Sequence, residues 1–267
     1  MGKVPPKNGF GSTNAGAAVE IVNADAQTPL LIICDHASNR VPEALNNLGL
    51  DADVLARHIG WDIGAAAVTR RLARALDATA ILAGTSRLVI DPNRDPADPT
   101  SIPAISDRVR IPANCDLSAE ERAQRRADYF QPYHDAIERE IARLRAHCTA
   151  PAIFSVHSFT PEMPGEERPW HIGVLWNKDP RMAGSMIQFL RAHADQLVVG
   201  DNQPYSGQLV AYSLNRHGGG NGLPHCAVEI RQDLVADDAG ADRWAAIIEP
   251  ALRTILASAG LHRVRHY

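Results

Sequence analysis

Three short, almost wholly apolar runs each pass straight into a polar residue of reactive chemistry. Leu30-Leu31-Ile32-Ile33-Cys34 leads into Asp35-His36-Ala37-Ser38-Asn39. Ala152-Ile153-Phe154-Ser155-Val156 leads into His157, and Cys226-Ala227-Val228 leads into Glu229-Ile230-Arg231-Gln232-Asp233. Runs of this length with no polar alternation read as strands covered on both faces. In an open α/β sheet, ligands gather where parallel strands end and loops begin. Three such strands, each delivering a histidine or an acid at that edge, predict a single catalytic rim.

The rest of the chain fits that frame. Strand-like and helix-like segments alternate, which predicts an α/β fold with a mixed, mainly parallel sheet. Strands are expected at Val19–Val22, Leu30–Cys34, Ala78–Ala83, Leu88–Ile90, up to His157, Trp170–Trp176, Leu197–Val199 and Val228–Ile230. Helical spacing of Ile63, Ala67, Val68, Leu72 and Leu76 predicts a helix from Asp62 to Leu76, with the Asp62 carboxylate at its start. Ser118 and Glu121 form a capping box that opens a helical region to about His147, and Pro132 is expected to divide it in two. Further helices are expected over Arg181–Ala194, Val210–His217 and Arg243–Ala259. The Pro-rich stretch Asp91 to Asp116 reads as a long loop.

With 267 residues, 45% of them hydrophobic, the chain can bury a full core. No repeat or linker is visible, so residues 15–267 read as one domain behind a mobile arm, Met1 to Asn14. A formal charge of −4 gives no general attraction to nucleic acid or membrane. No run is long enough to span a bilayer, and the N-terminus lacks the apolar segment of a signal peptide. Cys34, Cys115, Cys148 and Cys226 are scattered, which argues against a disulfide framework and for a cytoplasmic protein. Nothing in the sequence sets an oligomeric state.

Neutral imidazole suits zinc or another divalent metal, and a catalytic zinc takes three protein ligands with one position left open. His36 and His157 share one context and are the first ligand candidates. Asp62 is the best third ligand, with His58, His217 and His225 as competitors. Glu229 is placed to act as general base, and Arg231 lies two residues on, on the same strand face. Arg87, Asn93 and Arg94 surround Asp91 in a polar segment suited to an anionic small molecule. Asn39 and His217 complete the substrate-binding candidates. The Gly218-Gly219-Gly220-Asn221-Gly222 run lacks the ending of a phosphate loop and reads as a turn.

From about Leu30 to Val235 the sequence resembles the N-formylglutamate amidohydrolase family. The resemblance rests on Asp35-His36-Ala37-Ser38-Asn39-Arg40-Val41-Pro42, Trp61-Asp62-Ile63-Gly64, Arg87 through Asp95, Ser155-Val156-His157-Ser158-Phe159 and Val228 through Asp233. It implies a single-domain three-layer αβα sandwich, distantly similar to zinc carboxypeptidases and the related phosphorylase-like folds. It further implies His36 and His157 as zinc ligands, Glu229 as base, and Asn93 with Arg94 as receivers of a substrate acid group. Asn39 stands where the carboxypeptidases have a ligating glutamate. The implied reaction is metal-dependent hydrolysis of an N-acyl amino acid, N-formyl-L-glutamate giving formate and L-glutamate in histidine catabolism. Rival readings are a related amidase on another acylated amino acid and a metal-free binding protein. A serine hydrolase on Ser38 or Ser158 is weaker, since neither lies in a Gly-x-Ser-x-Gly elbow.

Overall fold

The computed structural model describes residues 18–163, 165–193 and 196–267. The arm expected over Met1–Asn14 lies outside them. All five residues of Leu30–Cys34 are buried, as a strand with a layer on each side requires. Among the described residues seven strands form one sheet: β1 (Val19–Val22), β2 (Leu30–Cys34), β3 (Thr79–Ala83), β4 (Ala152–Phe159), β5 (Ile172–Leu175), β6 (Val199–Asp201) and β7 (His225–Arg231). Their order is β1-β3-β2-β4-β7-β5-β6. The central run β3, β2, β4 and β7 is parallel, as is the edge pair β5 and β6. β1 runs against β3, and β5 runs against β7.

Helices cover both faces: α1 (Ala65–Leu76), α2 (Ala119–Arg125), α3 (Gln131–Arg145), α4 (Arg181–His193), α5 (Tyr212–His217) and α6 (Asp238–Leu256). The period-two alternation of β2 divides the core between them. Leu30, Ile32 and Cys34 pack with α1, α4 and α6, whereas Leu31 and Ile33 pack with α3 and α5. The result is the three-layer αβα sandwich expected. Cys34 and Cys226 are buried free thiols within the strands. Among the described residues no helix is long and apolar enough to cross a membrane.

Several boundaries differ from expectation, each for a local reason. Leu88–Ile90 is not a strand: it is a buried turn in a third apolar cluster with Leu48, Ile59, Ile111 and Phe130. Its carbonyls are taken by side chains rather than a neighbouring strand. Asn114 donates to Leu88 O at 2.9 Å and Arg125 to Val89 O at 3.1 Å. The same two residues join each other at 2.6 Å and order the Pro-rich segment above the cluster. The Ser118–Glu121 capping box forms both of its bonds. Beyond it the helical backbone is continuous, with a π turn at Arg126–Phe130 just before Pro132. A widened turn accommodates a proline that offers no N–H and crowds the preceding carbonyl. α6 starts at Asp238, earlier than expected, because Asp237 caps it by accepting from Gly240 N at 2.7 Å. The helix expected over Val210–His217 is broken at Ala211 into Gly207–Val210 and α5.

Candidate active site

The parallel strands β2, β4 and β7 deliver their side chains to one edge of the sheet. His36 follows β2 by two residues. His157 lies inside β4, which continues to Phe159, and its register partner on β7 is Glu229. Asp62 reaches them from the loop before α1. That helix begins at Ala65 rather than Asp62, behind Gly64 in a left-handed conformation at φ 81°. The Asp62 carboxylate therefore turns away from the helix end and towards the two histidines. Its Oδ2 lies 3.2 Å from His36 Nδ1 and 2.8 Å from His157 Nδ1.

Each imidazole meets a second carboxylate through its other nitrogen. His36 Nε2 lies 2.8 Å from Asp91 Oδ1, and His157 Nε2 lies 3.0 Å from Asp35 Oδ2. An Nε2–H donated to those oxygens leaves both Nδ1 lone pairs aimed at the Asp62 side, the arrangement that outer carboxylates impose on metal-binding histidines. Asp35 is buried and further held by Tyr133 Oη at 3.0 Å, Ser213 Oγ at 2.6 Å and Ser155 Oγ at 3.3 Å. Burial disfavours its charge, but the His157 imidazole, with His36 and the Ser213 hydroxyl adding to it, holds it down at about 2. Asp62 and Asp91 are likewise held well below the usual carboxylate range despite burial. Conversely the acids raise His157 well above, and His36 above, an ordinary histidine. The cluster is a site that favours positive charge.

Glu229 is the exception. It is 7% exposed, and its Oε2 has no hydrogen-bond partner. Burial pushes its carboxyl up to about 7; His157 pulls it down and Asp62 pushes it further up. A buried, unpartnered carboxyl poised near neutrality beside a cluster of donors is a general-base candidate.

A family profile for N-formylglutamate amidohydrolase matches residues 28–236. The chain belongs to that family. Among solved structures, the gene product Atu2144 from Agrobacterium tumefaciens is 36% identical with a TM-score of 0.86, covering 91% of this chain and 96% of that one. The N-formylglutamate amidohydrolase from Ralstonia eutropha JMP134 is 20% identical with a TM-score of 0.69, covering 90% and 97%. At that identity the second likeness supports the fold alone. A comparison with curated proteins found no match.

For this amidohydrolase-family chain, His36, Asp62 and His157 offer one ligand atom each, all within 4.8 Å of one another. Two imidazole nitrogens and a carboxylate oxygen, with Glu229 Oε2 unpartnered nearby, fit a divalent cation by chemistry and spacing. The cluster floors a cavity of about 460 Å³.

The remaining predicted residues lie as follows. Arg87 lines the cavity and grips Asp91 Oδ2 through Nη2 at 2.7 Å and Nε at 3.2 Å. Its Nη1 is 3.5 Å from Asp62 Oδ1. Arg94 lines the outer cavity with a half-exposed guanidinium and donates to Thr100 Oγ1 at 3.0 Å. Asn93 also lines it, but its amide is engaged by Val210 O and Ser213 N, each at 3.0 Å. Three others are not among the cavity walls. Arg231 pairs with Asp233 at 2.8 Å, Asn39 is half-buried, and His217 is buried against His134 at 2.8 Å. Of the competing histidines, His58 reaches the cavity, while His225 lines a separate cleft. Sequence reasoning assigned no role to Asp35, Tyr133 or Ser213. Asp35 carried a signal, its place next to His36, whereas Tyr133 and Ser213 carried none because only packing brings them there.

Proposed function

We propose that the chain hydrolyses the amide bond of N-acyl amino acids, with a divalent cation, zinc first, held by His36, Asp62 and His157. N-formyl-L-glutamate, the substrate in the family's name, is the first compound to test. The carrying observation is Glu229: a buried carboxyl whose Oε2 has no hydrogen-bond partner, in register with His157 and lining the same cavity as the donor cluster. A bound cation would supply Lewis acidity, polarising the acyl oxygen and making water more acidic.

The chain's own groups do the rest. Glu229 takes a proton from water as its oxygen bonds to the acyl carbon, then hands that proton to the amide nitrogen as the C–N bond breaks. The products are a carboxylate and a free amino acid. Arg94, half-exposed at the cavity wall, is the receiver for the substrate carboxylate. Arg87 holds Asp91, and Asp91 in turn orients His36. Asp35 does the same for His157. These roles suit a small anionic substrate and involve neither nucleic acid nor membrane. Scattered free thiols support a cytoplasmic setting, and histidine breakdown is the pathway the resemblance implies.

Elemental analysis of the purified protein, with product release followed before and after chelation, tests this. About one zinc per chain and chelator-sensitive release of formate or another acid are expected. Protein that retains no metal, and stays inactive when zinc is added, would sink the metallo-amidase reading in favour of a binding protein.

A further inference from the structure

We infer that Tyr205, held in place by Arg168, reads the far end of the substrate's side chain, its hydroxyl donating a hydrogen bond to a side-chain carboxylate. This deepens the amidohydrolase reading and rests on it. The direction of one hydrogen bond is the first ground. Arg168 Nη1 lies 3.0 Å from Tyr205 Oη. A guanidinium has only hydrogens to give, so the phenol oxygen accepts and must offer its own hydrogen elsewhere. Tyr205 lines the cavity, and nothing among the described residues accepts that hydrogen. Burial raises the phenol above an ordinary tyrosine, outweighing the pull of Arg168, so the hydroxyl is a donor at neutral pH.

The fixed position of the phenol is the second ground. Arg168 is buried behind the cavity wall, with Nη1 also 3.2 Å from Thr160 Oγ1 and Nη2 bonded to Met163 Sδ. Its guanidinium carbon lies 5.0 Å from the centre of the Tyr205 ring and 5.9 Å from that of Phe159. These contacts tie the end of β4 to the loop after β6, so the phenol is aimed before a substrate arrives. The make-up of the walls is the third. Beside Tyr205, Phe159, Met163 and Leu209 offer apolar surface to the methylenes of a glutamyl chain, with the hydroxyl as a polar end. Arg94, the receiver for the main-chain carboxylate, lines the cavity together with Asp95 and Asp98. A second carboxylate there would meet two like charges. Arg87 is taken up by Asp91. The side-chain acid is therefore directed to the Tyr205 wall of the same cavity.

The test is Tyr205→Phe, which removes one oxygen and keeps the ring beside Arg168. The probes are N-formyl-L-glutamate and N-formyl-L-norvaline, in which a methyl group replaces the side-chain carboxylate. Calorimetry uses the zinc-loaded Glu229→Gln protein, which binds without turnover, with and without Tyr205→Phe. Affinity for the glutamyl compound should fall about tenfold or more, while norvalyl binding, weaker from the outset, should not change. With Glu229 intact, Tyr205→Phe should raise KM for N-formyl-L-glutamate by a similar factor and leave kcat alone. Arg168→Lys should weaken glutamyl binding in the same way, and adding it to Tyr205→Phe should cost little more, since the two act as a unit. Should Arg168→Lys not fold, Tyr205→Phe alone decides. A loss confined to the glutamyl compound upholds the inference. Equal loss for both compounds, no loss, no binding of either, or a fall in kcat in place of the rise in KM overturns it. Selective loss in calorimetry with no hydrolysis of either compound upholds the role of Tyr205 and sinks the amidase.

Discussion

At the scale of single residues, the site turns on two acids with opposite tasks. Asp62 is stripped of its proton by two imidazoles, whereas Glu229 keeps hold of one until near neutral pH because burial leaves its charge unsupported. Only the second can pick up and release a proton during turnover. Glu229→Gln should therefore lower kcat by roughly a hundredfold or more while substrate affinity changes little. Paired steady-state and binding measurements check this, and retained activity would remove Glu229 from the base role. Most of the cluster was legible in the sequence, because an apolar run that ends in His36, His157 or Glu229 needs only the rule of where parallel strands deliver their side chains. The Asp62 carboxylate was visible as a ligand candidate but was given a helix-capping position that it does not occupy. Arg231 shows the limit of face-matching along a strand. Alternation predicts the same side as Glu229, yet Asp233 two residues later captures its guanidinium.

Among the elements, the turn before α1 decides the third ligand. Gly64 sits at φ 81°, and a Cβ there would run into the Val235 carbonyl oxygen. Gly64→Ala combines backbone strain with a backbone clash, and should lower stability by at least about 2 kcal/mol. It should also weaken zinc binding, because the turn that aims Asp62 must shift. Urea denaturation and competition with a chromophoric chelator measure the two effects. Periodicity located α1, α4 and the central strands, since their burial is set by one face or two. It misassigned Leu88–Ile90, where an apolar triplet is buried by a loop and its carbonyls are satisfied by Asn114 and Arg125. Hydrophobicity alone does not say which partner will take a carbonyl.

On the whole molecule, a ligand that binds only the fold adds to its stability. Zinc at a hundred times its Kd should add about 2.7 kcal/mol, a rise in thermal midpoint of roughly 5–10 °C that chelation reverses. Unfolding scans with and without chelator read this directly. Acid should act on the His134–His217 pair behind the site. Burial pushes both down to about 4, with His217 adding to it at His134 and Arg216 at His217. The unfolded chain takes up these protons near 6.5, the folded chain only near 4. Their contribution to stability is complete above about pH 6.5 and is lost as pH falls towards 4. Denaturation of the metal-free protein across that window should show the loss, and His134→Gln with His217→Gln should flatten it. The sequence by itself determined the layered fold and which strands bear chemistry, because strand burial and side-chain alternation are local properties of the chain. Tertiary structure alone decided that Asp35 and Asp91 orient the two histidines, that Glu229 is left unpartnered, and how charge is distributed around the cavity. Those depend on which distant segments meet in space, and on how many donors remain once each buried acid has taken its own.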